Sequence, residues 1–142
     1  ELRDRYFPNA KISVLSNSTF LAREKVVKAL AKVDNPNMKL DTVNADYIKR
    51  IDRPNAKYDV KGVIEKLKNM TVRPIIQTMF MKGEFEGQSV DNTTDEFVDP
   101  WIDVLEEIKP REVMIYTLEK RQIKSHFVKS ATNLKEEVTA SW

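Results

Sequence analysis

The sequence predicts an α/β fold in which parallel strands alternate with helices. Four short apolar runs typical of buried strands begin near residues 11, 38, 75 and 112. Amphipathic segments with helical spacing separate these runs, and the intervals suit successive β-α-β units with right-handed crossovers. Four such units would form either half of an eight-stranded barrel or a small doubly wound sheet.

The composition indicates one soluble domain and excludes several kinds of chemistry. The chain has 142 residues, 41% of them hydrophobic and 32% charged, with a net charge of +2. No segment approaches the roughly 20 apolar residues that span a bilayer, so we expect a cytoplasmic protein with no membrane partner. There is no cysteine, which excludes disulfides, a thiol nucleophile and iron–sulfur ligation by this chain. The single histidine, His126, argues against a zinc site or a histidine-based triad.

The first βα unit follows a short helical end. Residues 1–8 are interpreted as the end of an upstream helix. Residues 11–19 predict a strand that finishes in the polar cluster Ser-Asn-Ser-Thr. Residues 20–33 then carry apolar positions at helical spacing, which predicts an amphipathic helix over the sheet.

The second unit begins with an expected turn. The cluster at residues 34–37 predicts this turn, and residues 38–43 predict the second strand. Asn44 is expected to cap a short helix over residues 45–51, and Asp59 is expected to cap a longer one.

The third and fourth strands are expected over residues 75–81 and 112–118. Between them, residues 82–93 predict a polar loop, and Thr93-x-x-Glu96 matches a capping box. Pro100 would either kink the helix that follows or mark the place where it restarts.

Polar side chains at the strand tips are the candidate site residues, because open α/β sheets and barrels bind ligands at the carboxyl ends of their strands. Asn17 either contacts a ligand or only turns the chain toward its helix. Lys39 and Asp41 share one strand face and form either a structural ion pair or a ligand-binding pair.

Two further strands also carry polar side chains. Gln77 and Thr78 interrupt an apolar strand and serve either core hydrogen bonding or a ligand. Tyr116, on the fourth strand, favours a core position with a local partner for its hydroxyl group. The residues alone therefore predict a scaffold with four polar strand tips and no specific chemistry.

Three segments together resemble the later part of radical SAM proteins, in the group of Fe–S oxidoreductases related to the wyosine-forming enzymes. They are ISVLSNST, MKLDTVNADYIKRIDRPN and the stretch that runs from IIQTMFMKG to MIYTLEK. The most specific features are a Leu-Asp strand followed by a short helix ending in Asp-Arg-Pro, and the Gln-Thr-Met-Phe…Lys-Gly segment. The likeness covers about Tyr6 to Lys120.

The resemblance implies parallel (β/α) units whose four strands form the second part of a partial TIM-type barrel, as the third to sixth strands of six. Family members hold a [4Fe–4S] cluster on a Cys-x₃-Cys-x₂-Cys loop and cleave S-adenosylmethionine to a radical that abstracts hydrogen from the substrate. Because this chain has no cysteine, we expect the cluster loop to lie upstream of residue 1. The chain alone is then expected to be inactive.

The resemblance also assigns contacts to six residues, none of them catalytic or metal-binding. The assignments are Asn17, Lys39 and Asp41 for S-adenosylmethionine, and Gln77, Thr78 and Tyr116 for the substrate or adenosine side.

Residues 1–142 are interpreted as one domain, with four βα units over residues 11–120 and a tail over residues 121–142. The expected partners are an unknown substrate, the earlier part of the same barrel and a second copy bound through the edge strand at residues 11–17. Transfer RNA is a further expected partner, which only the family resemblance implies. The alternative is a cysteine-free α/β domain that binds a small ligand or a protein partner without catalysis.

Overall fold

The computed structural model describes residues 2–55, 57–119 and 122–126. Within these ranges the chain alternates strands and helices. The strands are β1 (Ser13–Ser16), β2 (Asn35–Lys39), β3 (Ile75–Met81), β4 (Glu84–Phe85), β5 (Gln88–Ser89), β6 (Glu112–Glu119) and β7 (Gln122–His126). The helices are α1 (Leu2–Tyr6), α2 (Glu24–Leu30), α3 (Ala45–Ile51), α4 (Val60–Lys68) and α5 (Asp95–Ile108).

The main sheet has the strand order β1-β2-β3-β6-β7. The first four strands of this order are mutually parallel, which confirms the α/β class and the parallel units. β7 pairs antiparallel with β6, while β4 and β5 form a separate antiparallel hairpin. The register places Lys39 beside Gln77 and Met79 beside Tyr116.

One continuous apolar core lies between the helices and one face of the sheet. The strands contribute Met38, Ile76, Phe80, Val113 and Ile115, and the helices contribute residues that include Leu30, Leu67, Trp101 and Leu105. Because strand side chains alternate between faces, the neighbours of these strand residues point away from the helices. This second face is only partly covered by the described residues, and we call it the open face. It includes Leu15, Lys39, Gln77, Met79 and Tyr116, together with Asn37 and Ile75, which are buried.

Two of the helices begin with the caps that the sequence predicts. The Asn44 Oδ1 atom accepts a hydrogen bond from the Tyr47 backbone N–H at 2.9 Å. The Asp59 Oδ1 atom accepts one from the Gly62 backbone N–H at 3.1 Å. Each cap satisfies a backbone donor that the first turn of a helix leaves free.

The expected turn at residues 34–37 is wrong, because β2 already begins at Asn35. Pro36 favoured a turn over a strand in the sequence, because proline has no N–H group to donate within a sheet. In the structure Pro36 has a partner only in β1, and the pairing with β3 starts at Asn37. A proline is tolerated there because only one neighbouring strand lies beside it.

The expected capping box at Thr93 is also wrong. Thr94 is the residue that precedes α5, and the Thr93 hydroxyl donates instead to Asp91 Oδ1 at 2.6 Å. The helix runs through Pro100 without restarting. Pro100 lies in the second turn of α5, where its ring leaves one backbone carbonyl without a helical donor.

The remaining boundaries show how well each element was predicted. The third and fourth strands and the helix at residues 45–51 are confirmed. The first strand and its helix are shorter than expected, and the loop at residues 82–93 contains the hairpin. In the predicted tail, β7 was not foreseen; residues 121 and 127–142 lie outside the described residues.

None of the helices in the described ranges combines the length and the hydrophobicity that a bilayer-spanning helix needs.

Candidate functional site

A cavity of about 440 Å³ lies on the open face, at the carboxyl ends of β1 and β2. Its volume falls in the range of roughly 300–1,000 Å³ that is typical of small-molecule sites. It brings together five of the six residues that the sequence assigned to ligands. The lining consists of Leu15, Ser16, Asn17, Lys39, Asp41, Gln77, Met79 and Tyr116.

Thr78 is the one assigned residue that does not line this cavity. It is buried on the helix-covered face, and its hydroxyl donates to the Leu40 carbonyl oxygen at 2.8 Å. Gln77 and Thr78 are adjacent in a strand, so their side chains must point to opposite faces of the sheet. Of the two, only Gln77 can contact a ligand on the open face.

Lys39 is held between two carboxylates from different elements. Its Nζ atom lies 2.8 Å from Asp41 Oδ2, just beyond β2, and 2.6 Å from Asp52 Oδ1, at the end of α3. The Asp41 side chain is only 6% exposed, and its second oxygen accepts the Met79 backbone N–H at 3.0 Å. The three charged groups carry a net charge of −1.

Burial and charge shift the pKa values of this group. Burial raises the pKa of Asp41 above its ordinary value, and the attraction of Lys39 offsets only part of that effect. For Lys39, burial lowers the pKa, but the two carboxylates outweigh burial, so the pKa of the ammonium is raised. Burial, followed by the negative charge of Asp52, raises the pKa of the nearby Tyr58 to about 12. At neutral pH the lysine is charged and the phenol of Tyr58 is neutral.

A second, smaller cavity of about 150 Å³ adjoins the same lysine. It shares Asn17, Lys39 and Asp41 with the larger cavity. The rest of its lining comes from the turn after β1, from the residues just beyond β2, from α3 and from the segment that follows α3. These residues are Thr19, Leu40, Thr42, Ile48, Asp52, Pro54 and Tyr58.

Asn17 combines the two functions that the sequence left open. Its Oδ1 atom accepts the Thr19 backbone N–H at 3.2 Å, which turns the chain after β1. The same side chain lines both cavities. Ser18 fixes this turn, because its hydroxyl donates to the Lys39 carbonyl oxygen at 3.0 Å while its backbone adopts a φ of 63°. The tip of β1 is thereby tied to the tip of β2.

Two residues of the site were not foreseen from the sequence. The sequence singled out Asp52 only as part of the Asp-Arg-Pro segment, but it is the second carboxylate that pairs with Lys39. Asn92 is fully buried and links the chain just beyond β2 to the second half of β3. Its amide nitrogen donates to the Asp41 and Met79 carbonyl oxygens, and its Oδ1 atom accepts the Met81 backbone N–H at 2.7 Å. Asn92 therefore sets the backbone position of Asp41.

The lining is suited to noncovalent binding. Leu15 and Met79 provide apolar surface for a flat ring, while amide, carboxylate and phenol groups can bind hydroxyl and amino groups. Within the described ranges, no group of three or more histidine, cysteine, aspartate or glutamate side chains could hold a metal ion.

No protein-family model, curated protein or solved structure gives a significant match to this chain.

Proposed function

We propose that this chain is the later part of a radical SAM barrel, and that its open-face cavity binds S-adenosylmethionine and substrate. In this proposal Asn17, Lys39 and Asp41 contact S-adenosylmethionine. Gln77 and Tyr116 contact the substrate or the adenosine side of the cofactor. The family resemblance supplies the identity of the ligand, and the geometry supports a shared site.

The observation that carries the proposal is the convergence of five assigned residues on one cavity. They come from the ends of β1 and β2 and from within β3 and β6, far apart in the sequence, and all of them line the same 440 Å³ space. Strand alternation and register place these side chains on one face of the sheet, and their polar groups there are suited to a ligand. The cavity also lies where parallel α/β proteins bind their ligands.

The one-sided core supports the partial barrel. A doubly wound sheet carries helices on both faces, whereas a barrel carries them only outside and turns its other face inward. Here the described helices bury one face, and Leu15 on the open face is 70% exposed. Among the described residues β1 pairs with β2 alone, so its other edge can receive a strand from the earlier part of the barrel.

The two cofactors of this family fit the chain differently. An iron–sulfur cluster does not fit, because the chain has no cysteine thiolates to hold it. The mixed apolar and polar lining supports S-adenosylmethionine as the ligand, because that molecule has a ring, hydroxyl groups and a charged methionyl end. The chain thus has features for binding and orienting a ligand, but no thiolate that could hold a cluster.

A second candidate is a cysteine-free α/β domain that binds a different small ligand without catalysis. The ion pairs favour this candidate, because Lys39 is already satisfied by Asp41 and Asp52. A lysine held in this way gives structural stability and needs no ligand to explain it. The two candidates differ in whether S-adenosylmethionine binds at all.

Titration of the purified, isotope-labelled chain with S-adenosylmethionine, followed by NMR, tests the proposal. Affinity is expected to be weak, with a Kd on the order of 1 mM, because contacts from a cluster and from the rest of a barrel are missing. The backbone amide signals of Asn17, Gln77 and Met79 should shift together along a single saturation curve. Adenosine should shift the same signals.

Adjacent residues of β3 provide a matched pair of variants. Gln77→Ala removes a hydrogen-bonding group from the cavity and should weaken binding about fivefold, the loss of roughly 1 kcal/mol. Thr78→Val alters the opposite face and should change the Kd less than about twofold, because the Trp101 Nε1–H group still donates to the Leu40 carbonyl oxygen. Unshifted cavity signals at saturating ligand, or equal effects of the two variants, would refute the proposal.

A further inference from the structure

The larger and the smaller cavities share three lining residues. Both are lined by Asn17, Lys39 and Asp41, so they meet at these residues. The Lys39 side chain reaches from β2 to Asp52, which lines the smaller cavity and not the larger one. Because Lys39 lies where the two cavities meet, we call its side chain the partition.

Two ion pairs keep this partition in place. Lys39 Nζ contacts one carboxylate from the β2 tip and one from the end of α3, at 2.8 and 2.6 Å. Displacing the ammonium would leave Asp41, which is buried, without its cation. An unpaired buried carboxylate is costly, so the partition moves only when another cation replaces it.

We infer that the two cavities are halves of one site divided by Lys39, and that a ligand reaching the smaller half carries an ammonium group that replaces the Lys39 Nζ atom. The inference rests on the proposed function only in taking the larger half as the place of the ligand's ring. A neutral or anionic part of a ligand would displace Lys39 Nζ without replacing its positive charge, so Asp41 and Asp52 would carry an uncompensated charge of −2. Such ligands are therefore excluded from the smaller half. Lys39 thereby selects ligands by length and by charge.

A chemical rescue experiment tests this partition without any adenosine ligand. Lys39→Ala removes three carbons and the ammonium group, which n-propylammonium can restore from solution. At about ten times its Kd, n-propylammonium should raise the Tm of this variant by about 4 °C. Propanol, which has the same size and no charge, should produce no such rise.

Two matched variants separate a specific site from a general effect of amines. Lys39→Met keeps the partition volume without the charge, so it leaves no room and n-propylammonium should not stabilise it. Lys68 also bridges two carboxylates, with Nζ 3.0 Å from Glu65 and 2.9 Å from Glu107, but it lines neither cavity. Lys68→Ala should therefore show no rescue. Equal Tm shifts in Lys39→Ala and Lys68→Ala, or a shift with propanol, would overturn the inference.

Lys39→Ala leaves Asp41 buried and unpaired, so the variant could fail to fold. The double variant with Asp41→Asn removes that charge and keeps the gap beside Asp52, where n-propylammonium should still raise the Tm. Absence of a rise there would also overturn the inference.

S-Adenosylmethionine carries an ammonium group, whereas adenosine carries none, so the two ligands extend the test. In the Lys39→Ala variant the ammonium group of S-adenosylmethionine no longer competes with Lys39 Nζ for the two aspartates, a gain that should outweigh the lost contact with Lys39. Its affinity should therefore rise at least about fivefold, while that for adenosine should change less than twofold. If n-propylammonium rescues the variant but the wild-type chain binds neither nucleoside, the proposed function fails and the partition remains. An equal gain for both ligands would contradict selection by charge.

Discussion

Asp41 is the residue whose surroundings most strongly define the site. It lies just past β2, accepts a backbone N–H from β3 and pairs with Lys39. Burial raises its pKa despite the nearby ammonium. A raised carboxyl pKa means that the folded chain binds a proton more readily than the unfolded chain does, so ionisation of Asp41 lowers stability.

Asp41→Asn should remove this pH dependence. In the wild-type chain, the contribution of Asp41 to stability is greatest below its ordinary pKa of 3.8 and declines as pH rises through the higher folded-state pKa. The difference in unfolding free energy, variant minus wild type, should therefore increase with pH across that window. Urea denaturation at a series of pH values measures it; a difference that decreases with pH would contradict the assignment.

Asn92 should contribute stability beyond that of an ordinary asparagine. Asn92→Ala leaves the Asp41 carbonyl, the Met79 carbonyl and the Met81 N–H without their side-chain partner. We expect a loss of about 3 kcal/mol in unfolding free energy. Asn69→Ala is the control, because the Asn69 side chain donates to the Glu65 carbonyl oxygen at an exposed helix end, and it should cost less than about 0.5 kcal/mol. Equal losses would show that the bridge contributes little.

The strand tips of the site were predictable from the sequence, but their partners were not. Lys39 and Asp41 stand out because unpaired charges are costly in a buried strand. Asp52 could not be recognised as their partner, because its position beside β2 depends on how α3 packs in the folded chain. The face of Thr78 was predictable in principle, because the period of two in a strand separates it from Gln77.

At the scale of elements, the end of β2 is anchored by a helix and a strand at once. The Leu40 carbonyl oxygen accepts Trp101 Nε1–H from α5 at 2.9 Å and the Thr78 hydroxyl from β3 at 2.8 Å. Trp101 is fully buried and packs edge-on against Phe80, with ring centroids 5.3 Å apart. Either donor alone keeps this carbonyl paired.

A double-mutant cycle on these two donors should therefore show coupling. Trp101→Phe and Thr78→Val each leave the Leu40 carbonyl oxygen with one partner, whereas the double variant leaves it buried with none. We expect the double variant to be less stable than the sum of the single changes by about 1 kcal/mol or more, measured by urea denaturation. Simple additivity would indicate that the two hydrogen bonds do not share this acceptor.

Elements with strong local signals were predicted, and elements with weak or misleading local signals were not. β3 and β6 are largely apolar, and α3 and α4 carry side-chain caps. The start of β2 was missed, because Pro36 between asparagines is typical of a turn until the pairing with β1 is known. β7 was missed because Ile123 is its only apolar residue, although it pairs with β6, the preceding strand in the sequence.

At the scale of the whole molecule, the described part of the chain has a covered face and an open one. β1 ends the sheet with one free edge, and Leu15 lies exposed beside that edge. Exposed apolar edge strands promote association with other strands. This arrangement matches a sheet that another part of a barrel would complete.

The isolated chain should consequently self-associate through β1. Sedimentation velocity should show a dimer or a larger species at high concentration, and Leu15→Glu should shift the chain toward monomer by placing like charges across the edge. Phe20→Ser is the control, since Phe20 is also exposed but lies outside the sheet, under the Arg23 guanidinium. A wild-type chain that stays monomeric throughout, or the same effect from both variants, would count against the open edge.

The most direct test of the ligand site is the detection of NMR cross-relaxation (NOEs) between S-adenosylmethionine and the methyl groups of the labelled chain. If the ligand binds as proposed, we expect NOEs from the adenine protons to the methyl groups of Leu15 and Met79, which line the open-face cavity. Met38, buried among the helices on the other face, serves as the internal reference and should show none. NOEs confined to other parts of the surface, or none at saturating ligand, would contradict binding in this cavity.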